Sequence, residues 1–116
     1  MAAQAGIEAN ILTVVDRKRL ELARCLATDP ELLLLDEVVA GATPSEAVAM
    51  MEMIRKIREM GITIIMVEHV MRVVMGLSHR VLVLHHGETI AVGDPKTVSR
   101  DPVVLKAYLG ARYAHA

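Results

Sequence analysis

The sequence predicts an α/β domain with a mostly parallel sheet, because strand-like and helical segments alternate along its 116 residues. Two short apolar runs, Glu31 to Asp36 and Ile62 to Glu68, each end in polar residues, and a helical segment separates them. A strand, a helix and a second strand in this order place both strands side by side in a parallel sheet. The continuous apolar character of the first run also predicts a strand that is buried on both faces. We therefore expect the polar ends of the two strands to lie at one edge of the sheet.

The helix boundaries follow from capping residues. A first helix is expected from Thr13 to Asp29-Pro30, where the proline ends it. A second helix begins at Thr43 to Glu46, which supply a hydroxyl N-cap, a proline at the first helical position and a glutamate two residues later, the pattern of a capping box. It should end at Met60-Gly61, because glycine adopts the left-handed conformation that terminates helices. A shorter helix is expected from about Val70 to Leu77.

A β-hairpin and further helices are predicted for the C-terminal third. The segments Arg80 to His85 and Thr89 to Val92 flank the turn residues His86-Gly87-Glu88. Asp94-Pro95 and Asp101-Pro102 then each place a carboxylate N-cap before a proline at the first helical position. The chain should therefore end in a hairpin followed by two helices.

Length and composition predict a single domain over residues 1–116 in the cytoplasm. Apolar residues make up 53% of the chain and the mean hydropathy is +0.40, which indicates that some apolar surface needs a partner. No apolar run approaches the ~18 residues that span a bilayer, no secretory signal is apparent, and Cys25 is the single cysteine. A net charge of −1 and the absence of Phe and Trp disfavour nucleic-acid binding. The basic residues Arg17 to Arg19 and Arg24 are interpreted as a solvated face of the first helix, with attraction of phosphate as the minor alternative.

The strongest chemical signal is the pair of acids that ends the first strand. Asp36 and Glu37 follow four leucines, so the strand would deliver two adjacent carboxylates to the edge of the sheet. One carboxylate can hold Mg²⁺ while the next orients or deprotonates an attacking water. Taken alone, the same residues also suit a buried strand that leaves the sheet through a polar loop.

The sequence resembles the ATP-binding cassette (ABC) ATPases, and among them those of the branched-chain amino acid importers. The motifs stand in the order and spacing of that family. They are Arg19 to Arg24, Leu32 to Glu37, Ala40 to Pro44 and Val67 to His69, and for the importer subgroup His85 to Glu88, Ala91 to Pro95 and Val104 to Gly110. The resemblance covers the chain from about Leu12. It implies the C-terminal part of such an ATPase, with a partial P-loop NTPase fold whose mostly parallel sheet is followed by a C-terminal hairpin and helices.

The resemblance also implies roles for individual residues. Asp36 would be the Walker B carboxylate that binds the Mg²⁺ of ATP, and Glu37 the general base. His69 would be a catalytic residue that contacts the γ-phosphate. Ala40 to Thr43 match the D-loop and would face a second ATPase subunit.

The segment that matches the family's signature motif departs from its pattern. Thr13 keeps a hydroxyl there and is a candidate for binding ATP, since a helix start attracts phosphate. Val14 and Val15 add bulk where the backbone should approach the nucleotide closely, and Asp16 adds a negative charge. The alternative is that Thr13 is an ordinary N-cap and Asp16 an acid of the first helical turn.

A larger departure is that the 116 residues contain no G-x-x-x-x-G-K-[ST] loop. Nothing in them is therefore expected to cradle the phosphates of ATP, and we expect neither tight binding of ATP and Mg²⁺ nor hydrolysis by this chain alone. In the family, a strand leading to that loop separates the strands matching Ile62 to Glu68 and Val81 to Leu84. An isolated chain is therefore predicted to pair these two strands directly, to borrow a strand from a second copy as a homo-oligomer or strand-exchanged dimer, or to expose its sheet edges and aggregate.

Three functions remain open from the sequence. The first is a fragment of an ABC ATPase subunit that couples ATP hydrolysis to branched-chain amino acid import. Its partners would be a second ATPase subunit and membrane permease subunits, and it would be peripheral to the inner membrane. The second is a non-catalytic module, derived from such an ATPase, that oligomerises or docks on a partner. The third is a small metal-dependent phosphohydrolase that uses Asp36, Glu37 and His69 on its own.

Overall fold

The structure is a computed structural model that describes Gly6 and residues 13–109. It consists of two small compact units. Unit 1 spans Met1–His69 and unit 2 spans Val70–Ala116. The helices and strands of unit 1 are α1 (Val14–Leu26), β1 (Leu32–Asp36), α2 (Pro44–Glu59) and β2 (Thr63–Val67). Those of unit 2 are α3 (Met71–Leu77), β3 (Val81–His85), β4 (Glu88–Gly93), α4 (Pro95–Arg100), α5 (Pro102–Val104) and a π-helical turn (Leu105–Leu109). The predicted alternation of helices and strands is confirmed.

The strand, helix and strand of unit 1 form the predicted parallel pair. β1 and β2 run side by side in a register that joins Leu32 to Thr63 and Asp36 to Val67. α2 connects them along the chain, which brings their carboxyl ends to one edge. This pairing forms one two-stranded sheet and the hairpin of unit 2 another, and within the described ranges neither sheet has a third strand.

The capping box at the start of α2 is present as predicted. The Thr43 hydroxyl oxygen accepts from the Glu46 backbone N–H at 3.2 Å, and the Glu46 carboxylate accepts from the Thr43 backbone N–H at 3.0 Å. At the other end, Gly61 adopts a φ of +90° just after the helix. The two ends of α2 are therefore fixed by local sequence, which sets the length of the connection between β1 and β2.

Thr13 is the N-cap of α1. Its hydroxyl oxygen accepts from the Asp16 backbone N–H at 3.1 Å, and the helix ends at Leu26, shortly before Asp29-Pro30. The interpretation of Thr13 as an ordinary N-cap is thus confirmed, and its role in binding ATP stays a prediction. Leu12 and Gly110, which bound the resemblance described above, lie outside the described residues.

The core of unit 1 covers only one face of β1. Leu33 and Leu35 are 4% and 7% exposed, and they share the core with Met50 and Ile54 of α2. Leu32 and Leu34 alternate with them and are 50% and 68% exposed. The prediction of a strand buried on both faces is therefore wrong for this structure, because the side chains of β1 alternate and the buried positions lie on one side only.

Unit 2 contains the predicted hairpin. β3 and β4 pair antiparallel, and a bulge interrupts their register between Val83 and Leu84. The turn between them is His86-Gly87, with φ values of 51° and 76°, and two positive φ angles in a two-residue loop are typical of a type I′ turn. The Tyr108 hydroxyl donates to the Leu84 carbonyl oxygen, which joins the π-helical turn to the hairpin.

Asp94 caps α4 and links the stability of unit 2 to pH. Its carboxylate accepts from the Thr97 backbone N–H at 3.0 Å and from the Thr97 hydroxyl at 2.7 Å, and these bonds lower the pKa of Asp94 below its ordinary value of 3.8. Because the ionised carboxylate of Asp94 is favoured in the folded chain, it stabilises the fold at pH values above its pKa in the unfolded chain. This stabilisation is lost as the pH falls through the pKa that Asp94 has in the folded chain.

We therefore expect Asp94→Ala to lower the melting temperature at about pH 7 and to have less effect at about pH 3. Thermal unfolding followed by circular dichroism at both pH values measures the difference. Asp94→Asn is the control, because an amide oxygen still caps the helix but does not titrate in this range. An equal loss from Asp94→Ala at both pH values would contradict the linkage.

Candidate catalytic site at the ends of the parallel strands

The candidate site lies where β1 and β2 end. Asp36 is the last residue of β1 and pairs with Val67, the last residue of β2. The next residue, Glu37, continues the ladder, because its backbone N–H donates to the Val67 carbonyl oxygen at 2.9 Å. His69 follows β2 by two residues. The parallel register thus brings residues that are distant in sequence to one edge of the sheet.

Glu37 and His69 contact each other through their side chains. The Glu37 Oε1 atom lies 3.1 Å from His69 Nδ1, and the two side chains are 51% and 66% exposed. Glu68 also contacts the histidine, since its Oε1 accepts from the His69 backbone N–H at 3.1 Å and lies 3.8 Å from Nδ1. The Glu68 side chain is only 1% exposed. The structure therefore brings together the two residues that the sequence analysis gave as catalytic.

Asp36 directly precedes Glu37 in the chain and is an exposed residue at the end of β1. Among residues 13–109, no group of three or more His, Cys, Asp or Glu residues is arranged to hold a metal ion. Mg²⁺ commonly takes one or two protein carboxylates, with the remaining ligands from water and substrate phosphates. A single accessible carboxylate such as Asp36 fits that ligand set.

The backbone at Glu37 has an uncommon conformation. Its φ is +50°, in the left-handed region, which costs about 1–3 kcal/mol for a residue with a side chain. The chain then turns, with the Ala40 backbone N–H donating to the Glu37 carbonyl oxygen at 3.2 Å. Val38 and Val39, inside the turn, are 9% and 6% exposed. Two buried valines therefore anchor a loop that presents Glu37 to solvent.

Lys18 of α1 binds the same loop, and the sequence analysis missed it. Its Nζ donates to the Ala40 carbonyl oxygen at 2.6 Å and to the Glu37 carbonyl oxygen at 3.3 Å. In the sequence it stands between Arg17 and Arg19, and three consecutive basic residues suggested a solvated face. No signal in the sequence distinguishes Lys18 from these neighbours, because both of its partners are backbone carbonyl oxygens.

The start of α1 lies next to this loop. Gly41 has a φ of +78°, and a Cβ atom built on it would lie 3.8 Å from Val14 Cγ1. Thr13 immediately precedes Val14, and its hydroxyl oxygen bonds to the Asp16 backbone. The structure thus places Thr13 near the loop but outside the contact between Glu37 and His69.

Over the parts of the chain that the structure describes, each helix is too short or too polar to cross a bilayer.

Comparisons with known proteins identify the family. The family model described as "Branched-chain amino acid ATP-binding cassette transporter" matches residues 88–114. The high-affinity branched-chain amino acid transport ATP-binding protein LivG of Escherichia coli is 42% identical over 107 residues, and BraF of Pseudomonas aeruginosa is 39% identical over the same length. Each alignment covers 91% of this chain and 42% of the relative. The chain therefore spans less than half the length of these relatives.

Solved structures agree with these relatives. MJ1267, an ATP-binding cassette of an ABC transporter, matches with a TM-score of 0.80 at 29% identity, over 88% of this chain and 42% of that one. CbiO1 of Clostridium perfringens, part of the ABC transporter complex cbiONQ, matches with a TM-score of 0.73 at 32% identity, over 92% of this chain and 44% of that one.

The fold and these matches place the chain among the ATP-binding cassette (ABC) proteins, which have the P-loop NTPase fold. Within that class, the chain belongs to the ATP-binding proteins of the branched-chain amino acid transporters and corresponds to their C-terminal part. The resemblance inferred from the sequence motifs is thereby confirmed.

Proposed function

We propose that this chain supplies the hydrolytic residues of an ATP site. In this proposal Glu37 accepts the proton of the attacking water, or orients that water, at the γ-phosphate of ATP. His69 holds the Glu37 carboxylate in place and lies where it can reach the same phosphate. The observation that carries the proposal is the 3.1 Å contact between Glu37 and His69 at the end of two parallel strands.

The exposure of this contact supports a role in function rather than stability. Both side chains are at least half exposed, and an exposed ion pair or hydrogen bond of this kind contributes only about 0–1 kcal/mol to folding. Yet Glu37 adopts an unfavourable left-handed backbone conformation. Strained residues that contribute little to stability concentrate at functional sites.

The contact with Glu37 also limits which hydrogen bonds the His69 ring can make to a phosphate. A neutral imidazole has one N–H group, so if Nδ1 donates to Glu37, the Nε2 atom carries a lone pair and accepts. A simultaneous hydrogen bond from Nε2 to a phosphate oxygen needs the imidazolium form. In the proposed site, His69 therefore either carries a positive charge when the nucleotide is bound or exchanges its contact with Glu37 for one with the phosphate.

Asp36 is proposed as the magnesium ligand. Bound Mg²⁺ would supply charge neutralisation for the phosphate oxygens. Asp36 would then supply a carboxylate oxygen as a ligand to Mg²⁺ at the end of β1, one residue before Glu37. In the proposal Asp36 would act through the metal and Glu37 through the attacking water, so the two carboxylates have separate roles.

The names of the relatives suggest a biological setting. LivG and BraF are described as branched-chain amino acid transport ATP-binding proteins. We propose that this chain takes part in coupling ATP hydrolysis to the import of branched-chain amino acids, in the cytoplasm against membrane permease subunits. A second ATPase subunit would then face Ala40 to Thr43, and Thr13 would bind ATP from the start of α1.

The proposal is tested in two steps with ATP and Mg²⁺. Calorimetric titration of the chain alone should give no binding tighter than about millimolar and no phosphate release, because phosphates must be held before water can be directed at them. A chimera that joins the preceding part of LivG to this chain should then hydrolyse ATP. A chimera that binds ATP in a folded form but does not hydrolyse it would contradict the proposal, and turnover by the chain alone would instead favour the small phosphohydrolase.

A second candidate function is a docking module without catalysis. The exposed apolar residues of the parallel sheet favour it, namely Leu32, Leu34, Ile65 and Val67. A module of this kind would leave Asp36 and Glu37 without a task. The hydrolysis experiment separates the two candidates, because a docking module without catalysis predicts no release of phosphate by the folded chimera.

A further inference from the structure

We infer that Lys18 is a positioning residue that fixes the loop carrying Glu37, and through it the contact between Glu37 and His69. The inference rests on the proposed function for its catalytic consequence. Its structural part stands on the hydrogen bonds of α1 alone.

Lys18 binds both ends of one turn. Its Nζ donates to two carbonyl oxygens of one turn, that of Ala40 at 2.6 Å and that of Glu37 at 3.3 Å. The Glu37 carbonyl oxygen also accepts the turn's own hydrogen bond from the Ala40 backbone N–H. A charged donor bonded to both ends of a turn stabilises that turn more than a neutral donor does.

The turn needs this support because its backbone is in left-handed conformations. Glu37 stands at a φ of +50° and Gly41 at +78°, so the loop begins and ends in left-handed conformations. Glycine adopts this conformation freely, whereas Glu37 does so only where its surroundings impose it. The Glu37 carbonyl oxygen belongs to the peptide group next to that strained residue, so a donor bound there restricts the backbone that aims the Glu37 carboxylate.

α1 meets the loop at a second point besides Lys18. Val14 precedes Lys18 by one helical turn, and both lie on the face of α1 that meets the loop from Glu37 to Gly41. A helix that touches the loop at two points can hold it as a rigid element. The Glu37 carboxylate then meets His69 Nδ1 at a fixed distance instead of sampling several positions.

The test uses nuclear magnetic resonance of the whole 116-residue chain. Lys18→Met should shift the carbonyl ¹³C resonances of Glu37 and Ala40 and also the Nδ1 resonance of the His69 imidazole. Lys56→Met, the same chemical change on the exposed side of α2, should leave all three unchanged. Lys18→Arg keeps a charged donor and should restore the His69 resonance toward its original position, which a loss of general helix stability would not do.

A measurement on the unsubstituted protein tests the inference even if the Lys18→Met variant does not fold. The ammonium protons of Lys18 should exchange with water more slowly than those of Lys56, and they should show a coupling across the hydrogen bond to the Ala40 carbonyl carbon. Rapid exchange of Lys18, like that of Lys56, would overturn the inference. So would unchanged Glu37 and His69 resonances in a folded Lys18→Met variant.

The catalytic consequence is measured in the chimera with LivG. Lys18→Met should lower kcat by about 10-fold to 100-fold and leave KM for ATP within about twofold, because the base is misplaced while the nucleotide is held elsewhere. A fall in affinity with unchanged kcat would contradict this consequence. Absence of hydrolysis in the parent chimera would count against the proposed function, whereas the resonance measurements decide the role of Lys18 independently.

Discussion

Glu37→Gln is expected to lower the ATP hydrolysis rate of the LivG chimera by about 10²-fold to 10⁴-fold, the usual contribution of a positioned general base. The amide keeps the size of the side chain and its contact with the His69 Nδ1 atom, but it cannot accept a proton from water. Binding of ATP should be retained, since Glu37 acts on the attacking water. Steady-state phosphate release and nucleotide titration measure the two quantities separately.

Glu52→Gln is the matched control for this prediction. Glu52 is exposed on α2, outside the candidate site, and undergoes the same chemical change. It should leave the rate within about twofold of the parent, as surface substitutions usually do. A Glu37→Gln chimera with more than about a tenth of the parent rate would show that another group serves as the base.

Met50→Ala should cause the largest loss of stability, about 2–5 kcal/mol in the free energy of unfolding. Met50 is 1% exposed in the core of unit 1, so shortening it removes buried apolar surface and leaves a cavity. Alanine is also the better helix former, and the loss therefore cannot come from helix propensity. Urea unfolding followed by circular dichroism measures the change as a lower midpoint at similar slope.

Met60 offers the same substitution at an exposed position. It follows α2 directly and is 68% exposed, so Met60→Ala should change the free energy of unfolding by less than about 0.5 kcal/mol. Equal losses from Met50→Ala and Met60→Ala would mean that α2 does not pack in solution as it does in the structure.

Most element boundaries were predictable because local chemistry determines them. The capping box at Thr43 and the left-handed Gly61 fixed both ends of α2, and the carboxylates before Pro95 and Pro102 began the two C-terminal helices. Each signal involves residues at most three positions apart. Such interactions are present in the sequence whatever the rest of the chain does.

The burial of β1 was not predictable in the same way. An apolar run indicates that both faces of a strand avoid water, but it does not say what covers them. In the structure Leu34 is 68% exposed, since none of the elements that the structure describes in unit 1 covers that side. The high mean hydropathy of the sequence indicated that some apolar surface would be uncovered, but it did not indicate which residues would form that surface.

The candidate site was predicted in part. The strand ends of β1 and β2 indicated that Glu37 and His69 would lie at one edge, but not that their side chains would touch. Lys18 was missed because its partners are backbone carbonyl oxygens, which every residue carries and which leave no trace in the sequence. Only tertiary structure distinguishes Lys18 from its basic neighbours.

The register of β1 and β2 has a consequence for insertions and deletions. Because β2 begins two residues after Gly61, one additional residue between α2 and β2 would advance the strand by about 3.3 Å and turn each of its side chains to the opposite face. His69 would then move away from Glu37 although neither residue had changed. The two-residue turn at His86-Gly87 belongs to unit 2, so a change in its length would alter the register of β3 and β4 and leave that of β1 and β2 unchanged.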